Sequence, residues 1–156
     1  MLKMEERPMK ESSTVVKLST SNFGNLSIEK ENIITFEQGL LGFEELKQFA
    51  IIAVEECLPF EWLVSLEDPM VAFPILNPTF FFSDYKPSLS KDDLVLLDIK
   101  KEKDVEMFCI VTLGKKPEDV TLNLKGPILI NMKNKIGKQV VLTEDYYSLN
   151  QQLIRY

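Results

Sequence analysis

The chain has 156 residues, of which 45% are hydrophobic and 27% charged, a composition typical of a globular protein with its own core and unlike that of a disordered one. The formal net charge of −6 repels a phosphate backbone, so it argues against direct nucleic-acid binding and favours a basic protein partner. The absence of histidine excludes Ser-His-Asp and Cys-His catalysis and removes the commonest metal ligand.

Residues 1–14 are polar and charged, contain Pro8 and show neither helical nor strand periodicity. We expect a mobile leader there, followed by one domain over residues 15–156. The leader lacks the apolar stretch of a signal peptide, and the chain nowhere offers the ~18 apolar residues of a membrane-spanning helix. The sequence therefore predicts a cytoplasmic protein with no membrane partner.

Short β-type runs follow at close spacing. In the first half, the predicted strands span residues 15–18, 25–28, 33–36, 49–54, 62–66 and 71–76. In the second half they span residues 105–113, 120–124, 127–131 and 139–142. Turns are predicted at residues 22–25, 68–69, 77–78, 116–119, 125–127 and 136–137, because each supplies Gly, Pro, Asn or Asp.

The predicted strands show two hydrophobic patterns. Residues 120–124 alternate apolar and polar side chains, as expected for a strand with one face in the core and one in water. Residues 49–54 and 108–111 are apolar throughout, which predicts strands that are covered on both faces.

Helical signals are few. Ser90 followed by Asp92 and Asp93 predicts a capped helix start, and a second helical turn is predicted over residues 43–48. Many short strands without alternating long helices favour a closed barrel or a tight sandwich over a parallel α/β sheet. The predicted fold is all-β and mainly antiparallel, a single-domain β-barrel-like fold with one or two short helices.

Metal and cofactor motifs are absent from the sequence. Cys57 and Cys109 are far apart, and Cys109 lies in an apolar run, so a buried reduced thiol is expected there. Two cysteines without histidine cannot form a structural zinc site, and the six glycines include no phosphate-binding loop or dinucleotide fingerprint. We expect no cofactor, no metal and no small-molecule substrate.

Paired carboxylates are the catalytic groups that the composition still permits. Glu67 with Asp68, or Asp92 with Asp93, leaves a carboxylate-dependent hydrolase on a small β-barrel as an alternative. Adjacent acids in turns and at helix starts are more often solvated or capping residues, so we expect a protein that is not an enzyme. A third alternative is a barrel that carries a small apolar ligand, which requires an open apolar interior.

Three stretches are specific in the order and spacing of their residues. Residues 34–44 read ITFEQGLLGFE, residues 62–73 read WLVSLEDPMVAF, and residues 126–131 read GPILIN, followed by GKQVVL at 137–142. They resemble the signature ITFPEGLPGFE, the stretch W-L-x-S-x-x-D-P-x-x-A-F, and the API-x-IN and G-x-Q-x-V-L ending of the FliW family. The resemblance extends from about residue 20 to residue 142.

The first motif departs from the family pattern at two positions. Glu37 and Leu41 stand where the family commonly has proline, so the loop lacks two fixed φ angles. Gly39 and Gly42 remain, and we expect turn glycines with positive φ there rather than partner contacts. Phe43 is expected to be a core residue, with partner contact as the alternative.

Two further aromatic positions leave alternatives open. Trp62 lies on an alternating strand and is expected in the core rather than at an interface. Residues 80–82 are three consecutive phenylalanines. Successive side chains of a strand point to opposite faces, so one of the three rings would point away from the core that its neighbours face. Either a segment over residues 90–98 covers that ring or the ring forms a docking patch.

The resemblance implies a role in flagellar assembly. Proteins of this family bind flagellin in the cytoplasm as a chaperone. When free of flagellin they bind and antagonise the RNA-binding repressor CsrA, away from its RNA-binding surface, which relieves repression of flagellin translation. Composition alone equally permits a simple RNA mimic. The candidate partner-binding residues, chosen as acids and aromatics in predicted loops, are Phe43, Glu44, Glu67, Asp68, Phe81, Asp84 and Tyr85.

Overall fold

Short strands dominate the structure, a computed structural model that describes residues 14–153. The strands are β1 (Val15–Thr20), β2 (Gly24–Glu29), β3 (Ile34–Thr35), β4 (Gln48–Ala53), β5 (Glu61–Ser65), β6 (Ala72–Leu76), β7 (Glu106–Thr112), β8 (Thr121–Leu122), β9 (Ile128–Asn131), β10 (Ile136–Gln139) and β11 (Gln151–Gln152). One α-helix, α1 (Lys91–Leu96), is present among the described residues. Single 3-10 turns lie at Lys30–Asn32, Glu55–Cys57, Pro78–Phe80, Glu102–Asp104 and Pro117–Asp119.

Seven strands close into a barrel in the order β3-β4-β5-β6-β7-β9-β10. Adjacent barrel strands are antiparallel except β3 and β10, which pair in parallel through Thr35 and Ile136. The first half of β7 pairs with β9, and its end pairs with β8. The strand β11 in turn pairs with β8. The predicted all-β, mainly antiparallel barrel is confirmed.

The interior of the barrel is filled with side chains. Alternate positions of the strands point inward because successive residues of a strand face opposite sides. The buried members of this inner cluster are Ile34, Phe36, Leu40, Phe49, Leu63, Ile75, Phe108, Ile128 and Ile130. A small apolar ligand would have to displace them, so the ligand-carrier alternative is wrong.

A second cluster lies on the outer face of β6, β7 and β9. In β7, Phe108 belongs to the inner cluster, whereas Cys109 and Val111 belong to the outer one, so the prediction of a strand covered on both faces is confirmed. The other buried members of the outer cluster are Leu76, Tyr85, Leu97, Leu122, Leu124, Leu129, Val140 and Leu142. Both cysteines are free and Cys109 is fully buried, as expected for a reduced core thiol.

The turn of the β1–β2 hairpin contacts the outer face of β5. At its turn, the ring of Phe23 makes an edge contact with Trp62, with ring centroids 5.2 Å apart. Trp62 is half-buried by this contact and lies outside both core clusters. Ala50 lies on the same face as Trp62 and is buried, and Phe49 is buried on the other face, but Ala53 at the end of β4 is exposed, so only the first part of that strand is covered on both faces.

Two local predictions are wrong, and one strand was not predicted. Lys135 adopts a positive φ of 58°, which places the turn before residue 136; β10 therefore begins at Ile136 and ends where a strand over residues 139–142 was predicted to begin. Residues 43–46 form a tight turn, closed by the Leu46 N–H donating to the Phe43 carbonyl at 3.1 Å, and residue 48 already belongs to β4, so the helical turn predicted over residues 43–48 is wrong. The strand β11 had no predicted counterpart.

The predicted start of α1 is confirmed, because the Ser90 hydroxyl accepts from the Asp93 N–H at 3.1 Å.

The predicted leader lies outside the described residues apart from Thr14, and so do residues 154–156. The assignment of residues 15–156 to one domain stays a prediction. Over residues 14–153, no helix has both the length and the apolar character needed to cross a membrane.

Candidate protein-binding surface

The signature loop (residues 36–47) connects β3 to β4 and is anchored in the barrel. Phe36 and Leu40 are fully buried in the inner cluster. The Phe36 N–H donates to the Lys47 carbonyl at 2.7 Å, and the Lys47 ammonium donates to the Glu37 carbonyl at 3.0 Å. The two ends of the loop are therefore held together and its centre is turned outward.

Two glycines give the loop its shape. Gly39 and Gly42 have φ values of +66° and +85°, in the left-handed region that glycine adopts without steric cost, so the turn-glycine prediction is confirmed. Gly39 is also crowded, because a Cβ at this position would lie 2.6 Å from the Cα of Glu44.

Hydrogen bonds hold the loop around Leu41, one of the two positions where the family commonly has proline. The Leu41 N–H donates to the Gln139 side-chain oxygen at 3.0 Å, a bond that proline could not make. The Phe43 N–H donates to the Leu40 carbonyl at 2.7 Å, and the Gly42 N–H donates to the Glu44 carboxylate at 3.0 Å. This last bond lowers the pKa of Glu44. Glu44 thus stabilises the loop from within.

Two apolar side chains project from this fixed loop. Leu41 is 56% exposed and Phe43 is 39% exposed. One side of the Phe43 ring contacts Phe73 edge-on, with centroids 5.0 Å apart, so Phe43 rests on the barrel while its other side meets solvent. Phe43 is therefore not the buried core residue that was expected, and a partner can reach it. Leu41 was not among the predicted contacts; the signal that could have identified it is an apolar residue in a turn-forming loop.

The carboxylates of Glu67 and Asp68 accept hydrogen bonds from backbone N–H groups. The Glu67 carboxylate accepts from the backbone N–H groups of Lys47 and Gln48, the latter at 3.0 Å, which ties the signature loop to the end of β5. Asp68 accepts from the Met70 N–H at 3.0 Å. This use as backbone acceptors supports a structural role and gives no support to the hydrolase alternative. The Asp93 carboxylate of the second candidate pair is bound to the Lys138 ammonium.

Residues 80–82 do not form a strand, so the argument from alternating faces is wrong. Phe80 ends the 3-10 turn Pro78–Phe80, whose start is capped by the Asn77 side chain, and residues 81–82 follow it. Phe82 packs against the outer cluster, whereas Phe80 and Phe81 are 65% and 46% exposed. Residues 90–98 do not cover them, and Asp84 beside them is exposed. Phe81 and Asp84 are therefore accessible to a partner.

Tyr85 is a core residue, and its prediction as a partner contact is wrong. It is 3% exposed, and its hydroxyl donates to the Leu124 carbonyl at 2.6 Å. Burial raises the pKa of Tyr85 far above its ordinary value. A tyrosine is readily buried when its hydroxyl finds an acceptor, and a loop position alone does not reveal that acceptor.

No metal centre accompanies these residues. Within residues 14–153, no three side chains of the Cys, Asp or Glu type lie close enough together to hold an ion. The accessible features are apolar side chains on fixed backbone, which is the chemistry of protein recognition.

Comparisons with known proteins match most of the chain to a single family. The family model of the FliW protein matches residues 17–153. The chain is 41% identical over 131 residues to the flagellar assembly factor FliW of Clostridium botulinum (strain Alaska E43 / Type E3), which covers 84% of this chain and 93% of the relative. It is 38% identical over 134 residues to the flagellar assembly factor FliW of Thermotoga sp. (strain RQ2), covering 85% and 90%. A crystal structure of the flagellar assembly factor FliW matches with a TM-score of 0.86 and 35% sequence identity, over 90% of this chain and 99% of that one. The chain therefore belongs to the FliW family.

Proposed function

We propose that this protein is a cytoplasmic flagellar assembly factor that works by binding and not by catalysis. It binds flagellin as a chaperone and, when free of flagellin, binds and antagonises a CsrA-like translational repressor. The observation that carries the proposal is the family match over residues 17–153, which includes the whole barrel and the signature loop.

The surface chemistry supports this proposal. The formal net charge of −6 complements a basic RNA-binding protein, and complementary charge speeds encounter and penalises wrong partners. The exposed Leu41 and Phe43 offer apolar contacts for the apolar helical ends of flagellin. The backbone that presents Leu41 and Phe43 is already fixed by hydrogen bonds, so little ordering cost accompanies binding there.

The direct test uses purified partners. The full chain is immobilised and challenged with flagellin, with a CsrA-like protein, and with both together. We expect each partner to be retained alone and flagellin to release the bound repressor. The repressor complex weakens as salt rises, because screening reduces the attraction between opposite charges. Retention of neither partner would contradict the proposal.

A second experiment separates two forms of antagonism. The repressor is titrated with the protein at increasing concentrations of its target RNA. If the protein binds away from the RNA-binding surface, its apparent affinity reaches a plateau as RNA saturates the repressor. A purely competitive dependence, in which the apparent Kd rises in proportion to RNA, would establish an RNA mimic instead.

A further inference from the structure

The last described part of the chain crosses the outer cluster as a strap. We define the strap as residues 143–153, which include β11. The residues just before it are firmly attached: Val140 and Leu142 are buried in the outer cluster, and their N–H groups donate to the carbonyls of Pro127 and Lys125 at 3.0 and 2.8 Å. The strap therefore begins where this attached segment ends.

Backbone pairing attaches the strap to β8. The strand β11 pairs antiparallel with β8 over two residues. Beside this pair, the Leu124 N–H donates to the Ser148 carbonyl at 2.9 Å, and the Leu153 N–H donates to the Val120 carbonyl at 3.3 Å. The opposite edge of β8 pairs with β7. The strap therefore occupies the edge of β8 that would otherwise be open.

Few side chains of the strap are buried. Tyr147 and Leu153 pack against the outer cluster and are only partly buried, and the Tyr147 ring meets the Tyr85 ring edge-on, with centroids 4.8 Å apart. The other two large apolar side chains, Tyr146 and Leu149, are 74% and 58% exposed. Backbone pairing therefore contributes more to the attachment than buried side chains do.

Polar contacts hold the two ends of the strap. At its start, the Glu144 carboxylate accepts from the Ser88 N–H at 3.0 Å, and the Lys125 ammonium donates to the Glu144 carbonyl at 3.2 Å. Near its end, the Gln152 side chain donates to the Glu118 carbonyl at 2.9 Å. The first and the last of these bonds are exposed, and water competes there for the same groups.

Release of the strap leaves the barrel closed. None of the seven barrel strands lies in residues 143–153, and no strap residue is a buried member of the inner cluster. Segments with few buried apolar contacts and exposed backbone hydrogen bonds open at a lower free energy than core strands do. Such an opening uncovers the edge of β8 and one side of the Tyr85 ring.

We propose that the strap is a displaceable cover and that the β8 edge beneath it accepts an extended segment of a protein partner. The strap itself shows what fits this edge, because β11 is an extended strand paired to it. Both residues of β11 are glutamines, so the pairing uses backbone groups that any extended segment has. Tyr147 and Leu153 mark where an aromatic and an aliphatic side chain of the partner would rest on the outer cluster. The choice of partner rests on the proposed function, whereas the opening of the strap does not.

Native-state hydrogen exchange of the full chain tests the opening. The amides of Leu153 and Ser88 report on the strap. The controls are Leu142 and Asn123, whose N–H donates to the Ile110 carbonyl at 3.0 Å on the β7 side of β8. We expect the strap amides to exchange about tenfold faster than the controls or more, with little dependence on urea, because local opening exposes little surface. Equal rates and equal urea dependence would overturn the inference.

A disulfide that locks the strap tests the acceptor edge. Thr121→Cys with Gln152→Cys joins two residues that face each other across β8 and β11, a separation that a disulfide spans. The matched control, Lys17→Cys with Ser27→Cys, joins facing residues of the β1–β2 hairpin. Both pairs are made in a Cys57→Ser background, because the half-buried native thiol competes with the new ones.

The probe is a labelled peptide with the sequence of residues 145–153, DYYSLNQQL, and fluorescence anisotropy measures its binding to the full chain. Leu153→Ser in the chain removes one anchor of the tethered competitor, so it should lower the peptide Kd about tenfold. Oxidation of the strap pair should raise the Kd about tenfold or more, and oxidation of the hairpin pair should leave it unchanged.

A control peptide has serine at the positions of Tyr147 and Leu153 and should bind about tenfold more weakly or worse. Failure of the Leu153→Ser chain to bind the first peptide would overturn the acceptor edge. Equal binding by the oxidised and reduced strap pair would also overturn it.

Flagellin and the CsrA-like protein are then tested on both disulfide pairs. Loss of one partner on oxidation of the strap pair, with recovery on reduction and no effect of the hairpin pair, supports the inference. If the oxidised and reduced strap pair retain both partners equally, the acceptor role is wrong while the proposed function stands. If the wild-type chain retains neither partner, the proposed function fails.

Discussion

Gly137 lies directly against the ring of Phe36. A Cβ at Gly137 would be 2.6 Å from the nearest ring carbon, and the ring is fully buried. We expect Gly137→Ala to lower the free energy of unfolding by about 1–3 kcal/mol, because the added methyl group overpacks the barrel. Urea unfolding monitored by circular dichroism measures the change.

A double substitution tests the cause of that loss. Phe36→Leu makes room at the same place, so Gly137→Ala should destabilise the Phe36→Leu background less than it destabilises the wild type. Additive losses would show that the alanine acts elsewhere than on the ring.

Gly39 and Gly42 form a matched pair in the signature loop. Both have positive φ, but a Cβ at Gly42 would meet nothing within 4 Å, whereas one at Gly39 would collide with backbone atoms of Phe43 and Glu44. We expect Gly42→Ala to cost about 1–2 kcal/mol of stability, from the left-handed conformation alone. Gly39→Ala should cost distinctly more, because the backbone must also move. Equal losses in thermal or urea unfolding would contradict this steric account.

Glu44 makes the shape of the loop sensitive to acid. The N–H of Gly42 is the main cause that lowers the pKa of Glu44 below its ordinary value of 4.5. Because the pKa of Glu44 is lowered in the folded protein, the hydrogen bond from the Gly42 N–H to the Glu44 carboxylate is fully present above pH 4.5. It is lost as the pH falls through the pKa of the folded protein. We expect the amide shift of Gly42 in NMR spectra to titrate with a midpoint below 4.5.

The control for this titration is Glu44→Gln, which has no carboxylate to protonate. Its Gly42 amide shift should stay flat over the same pH range. A midpoint at or above 4.5 in the wild type would contradict the proposed bond.

The two thiols should differ sharply in reactivity. Cys109 is fully buried, and burial raises its pKa to about 12, so almost none of it is thiolate near neutral pH. Cys57 is only half-buried. We expect iodoacetamide to modify Cys57 alone in the native protein and both thiols in urea, as measured by peptide mass spectrometry. Modification of both at similar rates in the native protein would show that the outer cluster opens readily.

Local sequence patterns predicted the strands well because each pattern depends on near neighbours. Alternation and apolar runs identified the elements from β1 to β9, and the Ser90 cap identified α1. The position of β10 was shifted because its turn uses Lys135 at positive φ, a conformation for which lysine gives no signal. The strand β11 consists of two glutamines that pair with β8 and has no hydrophobic pattern of its own.

The candidate site was harder to predict because it depends on contacts between distant residues. Glu67 looked like a free loop acid, but it accepts from the backbone of Lys47 and Gln48. Tyr85 looked accessible, but Leu124 supplies its acceptor from 39 residues away. The fixed position of Leu41 depends on Gln139, 98 residues further along the chain. Such pairings follow from the closure of the barrel, which single-residue patterns do not encode.

The parallel pairing of β3 with β10 has a consequence during synthesis of the chain. A nascent polypeptide that has left the ribosome only as far as β6 contains Phe49, Leu63 and Ile75 but lacks the strands that enclose them. The interior is sealed only after residue 139 has left the ribosome, so a shorter nascent chain cannot close the barrel. A truncated product would therefore leave its hydrophobic residues open to proteases, and only finished molecules would enter the pool that can engage a partner.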